Sequence, residues 1–201
     1  KFGAPGTVLI GLGLEVAGVL VLALILGPAT PGWLIAIPLV VYGLGLGLAS
    51  AQLTGTVLRD IPVDVSGQGS ATQSTVRQIG SALGTAFAGA TLSISLALTL
   101  PTALGRAGLT GPEADSLADA TRQSAGTTIM QLREQGSSSS LGDQTATAVD
   151  ALTGGFADAT RWALLIATVF LALGFIGALR LRRASVATPI NPSAQQEAHP
   201  S

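Results

Sequence analysis

Two charged residues, Glu15 and Arg77, stand inside otherwise uncharged apolar stretches at residues 7–26, 33–58, 65–98 and 162–179. A charge held in hydrocarbon costs at least about 2.5–3.5 kcal/mol, so each of these two needs a partner or water. Glu15 shares a helical face with Gly11 and Gly18, at spacings of four and three residues. A carboxylate on a glycine-lined face belongs between helices rather than against lipid. Two chemistries are open to it there: carrying a proton, or standing protonated and hydrogen-bonded as a structural group. Arg77 belongs to a longer polar face. At helical spacing Ser66, Ser70, Gln73, Arg77, Ser81 and Gly84 fall together. Hydrocarbon cannot satisfy such groups, so this face must look into protein or a water-filled cavity. The guanidinium can move between carboxylate partners as a cavity opens, or form a static ion pair between helices. In the preceding stretch Gln52 is a buried amide in need of partners, on a neighbouring helix or a ligand. Gln52, Gln73 and Arg77 are therefore the candidates for substrate-cavity or gating contacts.

Other chemistry is excluded or poorly supported. The chain has no cysteine, which removes disulfides, thiolate metal sites and cysteine nucleophiles. Its one histidine, His199, falls in a Pro-, Ser- and Gln-rich tail. No G-x-S-x-G or H-E-x-x-H motif occurs, no metal site or cofactor is implied, and the expectation is that the chain is not an enzyme. The run Gly43-Leu44-Gly45-Leu46-Gly47 fails the dinucleotide fingerprint, because Leu48 stands where the third glycine belongs. Gly43 and Gly47, with Gly80 and Gly84 on the polar stretch, are read as helix-packing positions, where small residues let backbones approach closely.

These residues must be positioned by membrane-crossing helices. Of 201 residues 48% are hydrophobic and only 10% charged, with a mean hydropathy of +0.57. Soluble domains carry about 25% charged residues, so this chain has too few to coat a water-facing surface. A net charge of −1 also disfavours a nucleic-acid partner. A bilayer core about 30 Å thick takes about 20 apolar helical residues. The expected order is a cytoplasmic loop 1–6, transmembrane helices 7–27 and 33–58, a long one at 65–99, a loop 100–159 containing short helices, a transmembrane helix 160–181, and a disordered cytoplasmic tail 182–201. Within the loop, 113–135 has helical composition, 136–140 reads as a flexible break, and 143–158 as a second short helix. Asp64 and Ser66 are available to cap the third membrane helix. The basic cluster Arg180, Arg182 and Arg183, with Lys1 and Arg59, marks the cytoplasmic side and puts loop 100–159 outside. The fold class is all-α, a polytopic helical membrane protein.

The third membrane helix also resembles a known family. Its segment Gly67-Gln68-Gly69-Ser70-Ala71-Thr72-Gln73-Ser74-Thr75-Val76-Arg77-Gln78-Ile79-Gly80-Ser81-Ala82-Leu83-Gly84-Thr85-Ala86 is similar to the penultimate helix of the fourteen-helix drug:proton antiporters of the major facilitator superfamily. The Gly43–Gly47 run resembles the preceding helix of that family, and Lys1-Phe2-Gly3-Ala4 the short cytoplasmic loop before its eleventh helix. The resemblance implies the C-terminal four transmembrane helices of a major facilitator fold, a fragment of a longer chain in the cell membrane with its C-terminus cytoplasmic. It implies that 33–58 faces the substrate cavity with 65–98 beside it, while 7–26 and 162–179 are outer supports. Glu15 departs from that pattern by falling in a support helix, and no family role is carried onto it. The expected function is part of a secondary active transporter, proton-coupled efflux of small amphiphilic or cationic compounds by alternating access. Its partners are then the lipid bilayer, the missing N-terminal helices, the cargo and protons. The alternative is a non-transporting four-helix membrane module whose outer loop binds a partner.

Overall fold

A computed structural model describes residues 3–58 and 65–187, with side chains described for 6–52 and 65–180. The described residues are helical, without strands. The elements are α1 (Gly3–Ile25), α2 (Gly32–Leu58), α3 (Ser66–Arg106), α4 (Pro112–Gln123), α5 (Thr127–Gln135) and α6 (Thr145–Ala187), with short 3-10 turns at Gly136–Ser138 and Gly142–Gln144. α1, α2, α3 and α6 are long and apolar enough to cross a membrane. The chain is a multi-pass, all-α membrane protein.

α3 has 41 residues and α6 has 43. At 1.5 Å per residue each is roughly 60 Å long, about twice the bilayer core. The segment expected to be a loop is therefore largely two helix extensions with α4 and α5 folded between them. The reason is amphipathic packing: Leu96, Leu100 and Leu104, four residues apart on α3, meet Val149 and Leu152 of α6, Ala118 of α4, and Ile129 and Leu132 of α5. This core makes a compact cap on the bundle. Thr99 Oγ1 donates across it to Gly155 O at 2.9 Å. Pro101 is accommodated within α3.

Several boundaries differ from the hydropathy reading. α1 begins at Gly3 rather than at residue 7, and residues 182–187 continue α6 instead of joining a tail. The helical stretch 113–135 is broken at Ser124–Gly126, where Ala125 (φ 49°) and Gly126 (φ 91°) turn left-handed and Ser124 Oγ bonds Thr128 Oγ1 at 2.9 Å. The expected flexible break 136–140 contains a 3-10 turn at Gly136–Ser138, where Ser139 N donates to Gly136 O at 3.2 Å. Val65, not Asp64 or Ser66, occupies the α3 cap position, and it makes no side-chain capping bond. Lys1, Arg59, Asp64 and His199 lie outside the described residues.

Across the bundle α1 lies between α2 and α6, α6 packs on α3, and α2 and α3 touch only slightly. Phe87 and Phe170 join α3 to α6 edge to face, with ring centroids 4.5 Å apart.

Candidate functional site

The polar face of α3 lies on an uncovered part of the molecule. From Gln78 to Ala90 every residue is exposed, and so are Ser70, Arg77 and Ser81; Ser66 and Gln73 are half-buried. Neither Arg77 nor Gln73 makes a side-chain hydrogen bond or ion pair among the described residues. Gln52 is half-buried on α2. The structure thus keeps Gln73 and Arg77 on one helix one turn apart, and joins neither of them to Gln52 by a polar contact.

Glu15 is in a different environment. It is 6% exposed and sits where α1 crosses α2. The crossing is tight because glycines line it. A Cβ on Gly45 would stand 2.5 Å from Gly11 O and 2.8 Å from Glu15 N. One on Gly11 would stand 2.7 Å from Ala49 N, and one on Gly18 would stand 2.8 Å from Tyr42 N. Helix association in lipid depends on such close dispersion contacts, since lipid tails are as apolar as leucine. No hydrogen bond or ion pair reaches the Glu15 side chain among the described residues. Glu15 is therefore an enclosed carboxyl at the α1–α2 crossing, on a different helix from the exposed Arg77 face of α3.

Gly11 and Gly18, read from sequence as a face between helices, lie in this crossing, whereas the other glycines read as packing positions have no close neighbour among the described residues. A Cβ on Gly43, Gly47, Gly80 or Gly84 would meet nothing within 4 Å in this chain. Gly45, midway between Gly43 and Gly47, makes the approach instead. The signal for it was the seven-residue spacing of Gly11 and Gly18 on the facing helix.

A second feature had no sequence signal. A cavity of about 460 Å³ opens between the α1–α2 turn at Leu26–Pro28, the α4–α5 turn at Ala125–Gly126, and the 153–160 stretch of α6. Arg133 is its one charged lining residue.

A stretch of 58 residues is 40% identical to the riboflavin transporter RibZ of Clostridioides difficile (strain 630). The relative is a membrane transporter. The match takes in 29% of this chain and spans 13% of the length of RibZ. No family model matches the chain, and no solved structure matches it. The partial identity and the four apolar helices together fit a membrane transporter in general.

Proposed function

We propose that these residues are the C-terminal four transmembrane helices of a major facilitator transporter, of the fourteen-helix drug:proton antiporter type, in the cell membrane. Its activity is export of small amphiphilic or cationic compounds coupled to proton entry, with no catalytic chemistry of its own. Two helical bundles rock about a central site to give alternating access. The observation that supports this reading is the uncovered polar face of α3, with Gln73 and Arg77 on a helix long and apolar enough to cross a membrane. In a membrane such a face requires protein or water against it. Helices N-terminal to Lys1 supply that cover, and the space between supplies the cavity. The C-terminus and Arg180 are cytoplasmic, and the cap is outside.

Arg77→Ala tests the assignment. Cells carrying the full-length variant lose efflux of amphiphilic cations while membrane abundance stays normal. Full efflux in that variant refutes the role. The partial identity to RibZ favours a second cargo class, a planar heterocycle such as riboflavin. Flavin transport that is lost in Arg77→Ala, with no cation efflux in the wild type, selects that cargo.

A further inference from the structure

We infer that the cavity beside the α1–α2 turn is a binding site for one anionic phospholipid from the leaflet that meets the cap. The inference uses the membrane reading of the four helices and does not depend on what is transported.

Its depth is the first ground. Trp33 opens α2 and Trp162 opens the apolar part of α6, and they are 69% and 59% exposed. Exposed indoles where an apolar span begins mark the membrane–water interface. Leu26 and Pro28 line the cavity just before Trp33, and Thr160 lines it just before Trp162. Thr153, two turns further, lines it as well. The cavity thus rises about 10 Å from the belt by helical rise. A headgroup layer is about 5–8 Å deep on each side of the hydrocarbon core. The end of the cavity at Leu26, Pro28 and Thr160 falls in that layer, and its far end at Thr153 stands just above it.

Its chemistry is the second ground. Leu26, Pro28, Ile129, Met130 and Phe156 give an apolar lower wall, suited to the start of acyl chains. Arg133 also borders the neighbouring cavity formed with Val149 and Asp150, which places it at the end away from the membrane. No carboxylate lines the cavity, and Arg133 makes no ion pair among the described residues. The hydroxyls are already committed as donors: Thr127 to Ser124 O at 2.9 Å, Thr153 to Val149 O at 2.6 Å, and Thr160 to Phe156 O at 2.8 Å. They offer lone pairs only. The guanidinium is then the donor for a phosphate, and the threonines accept from headgroup hydroxyls. A phosphodiester bearing a glycerol head satisfies both. A cationic amphiphile meets an unpaired arginine and is disfavoured.

The wall is closely packed at one point. Gly126 (φ 91°) rests on the Phe156 ring, where a Cβ would lie 3.0 Å from Cε2. That contact fixes the aromatic floor against the left-handed turn.

The experiment is native mass spectrometry of the full-length protein, purified and equilibrated with equal amounts of phosphatidylglycerol and phosphatidylcholine. Wild type retains one phosphatidylglycerol in preference. Arg133→Gln binds it about five-fold more weakly, the effect of one cation near a lipid surface, and Arg133→Lys keeps most of the affinity. Ala157→Phe, which fills the cavity and leaves Arg133 in place, also loses the lipid. Arg180→Gln, at the other end of α6, keeps it. Equal retention of phosphatidylcholine, or unchanged phosphatidylglycerol retention in either Arg133→Gln or Ala157→Phe, overturns the proposal. So does displacement of the lipid by millimolar inorganic phosphate, which would make the site one for the free anion.

Discussion

Gly45→Ala adds one methyl group to the α1–α2 crossing, and the structure sets the cost. The new Cβ would stand 2.5 Å from Gly11 O, 2.8 Å from Glu15 N and 3.0 Å from Leu14 Cβ. Two of these are backbone atoms, which cannot swing aside. Ordinary contact begins near 3.4 Å, so α1 must retreat by up to 0.9 Å. A gap of about 0.5–1 Å forfeits a quarter to a half of each dispersion contact across the crossing. Overpacking of this kind costs about 1–3 kcal/mol. Alanine recovers about 0.5–1 kcal/mol as the better helix former, leaving a net loss of about 1 kcal/mol at mid-range. The control is Gly13→Ala on the facing helix α1, whose Cβ would meet the Phe175 ring at 3.8 Å, an ordinary contact. It is expected to be neutral or to stabilise by up to about 0.5–1 kcal/mol. Thermal unfolding of the purified full-length protein in one detergent reads both. A lowered Tm for Gly45→Ala with an unchanged or raised Tm for Gly13→Ala supports the geometry. A wild-type Tm for Gly45→Ala, or an equal fall for both, refutes it.

Two further variants probe the cap. Ala125 holds φ 49°, a conformation that costs an L-residue about 1–2 kcal/mol and glycine far less, so Ala125→Gly raises the Tm; an unchanged Tm means the turn is not strained. Leu152 is fully buried in the cap core, and Leu152→Ala loses about 2–5 kcal/mol there. Limited proteolysis of membranes then cleaves the α4–α5 region faster than in wild type, and equal cleavage rates would show that the cap does not depend on this core.

The four membrane helices were legible because each contains an uncharged run near or beyond the 20 residues a bilayer takes. Their ends were not. α3 continues to Arg106 and α6 starts at Thr145 because Leu96, Leu100 and Leu104 go on packing against Val149 and Leu152 after overall hydropathy has fallen. Hydropathy reports transfer to lipid, whereas these leucines are buried by protein. The break at Ser124–Gly126 was hidden for a different reason: it is made by a left-handed pair and a Ser124–Thr128 bond inside a segment of good helical composition. The glycine run on α2 shows the limit most plainly. Gly43, Gly45 and Gly47 are equivalent by composition, and only the rotation of α2 against Gly11 and Gly18 selects Gly45. The cavity at Arg133 joins residues as distant in sequence as Leu26 and Thr160, and no local pattern encodes that.

The distribution of satisfied and unsatisfied surface within one helix bears on the transport reading. α3 is a single helix whose C-terminal part is fixed in the cap by its leucines and by the Thr99–Gly155 bond. Its N-terminal part, with Gln73 and Arg77, touches little within this chain. In hydrocarbon the arginine alone costs at least about 2.5–3.5 kcal/mol, a large share of the few kcal/mol by which membrane and soluble folds alike are stable. The α1–α2 pair differs, since Gly11, Gly18 and Gly45 already bring its backbones into close contact within this chain. On the proposed reading the asymmetry has a mechanical use. The substrate-side half of α3 gains its partners from helices elsewhere in the transporter, while the cap and the Phe87–Phe170 contact hold the same helix to its support, α6. A helix anchored at one end and exchanging polar partners at the other can change those partners without unfolding.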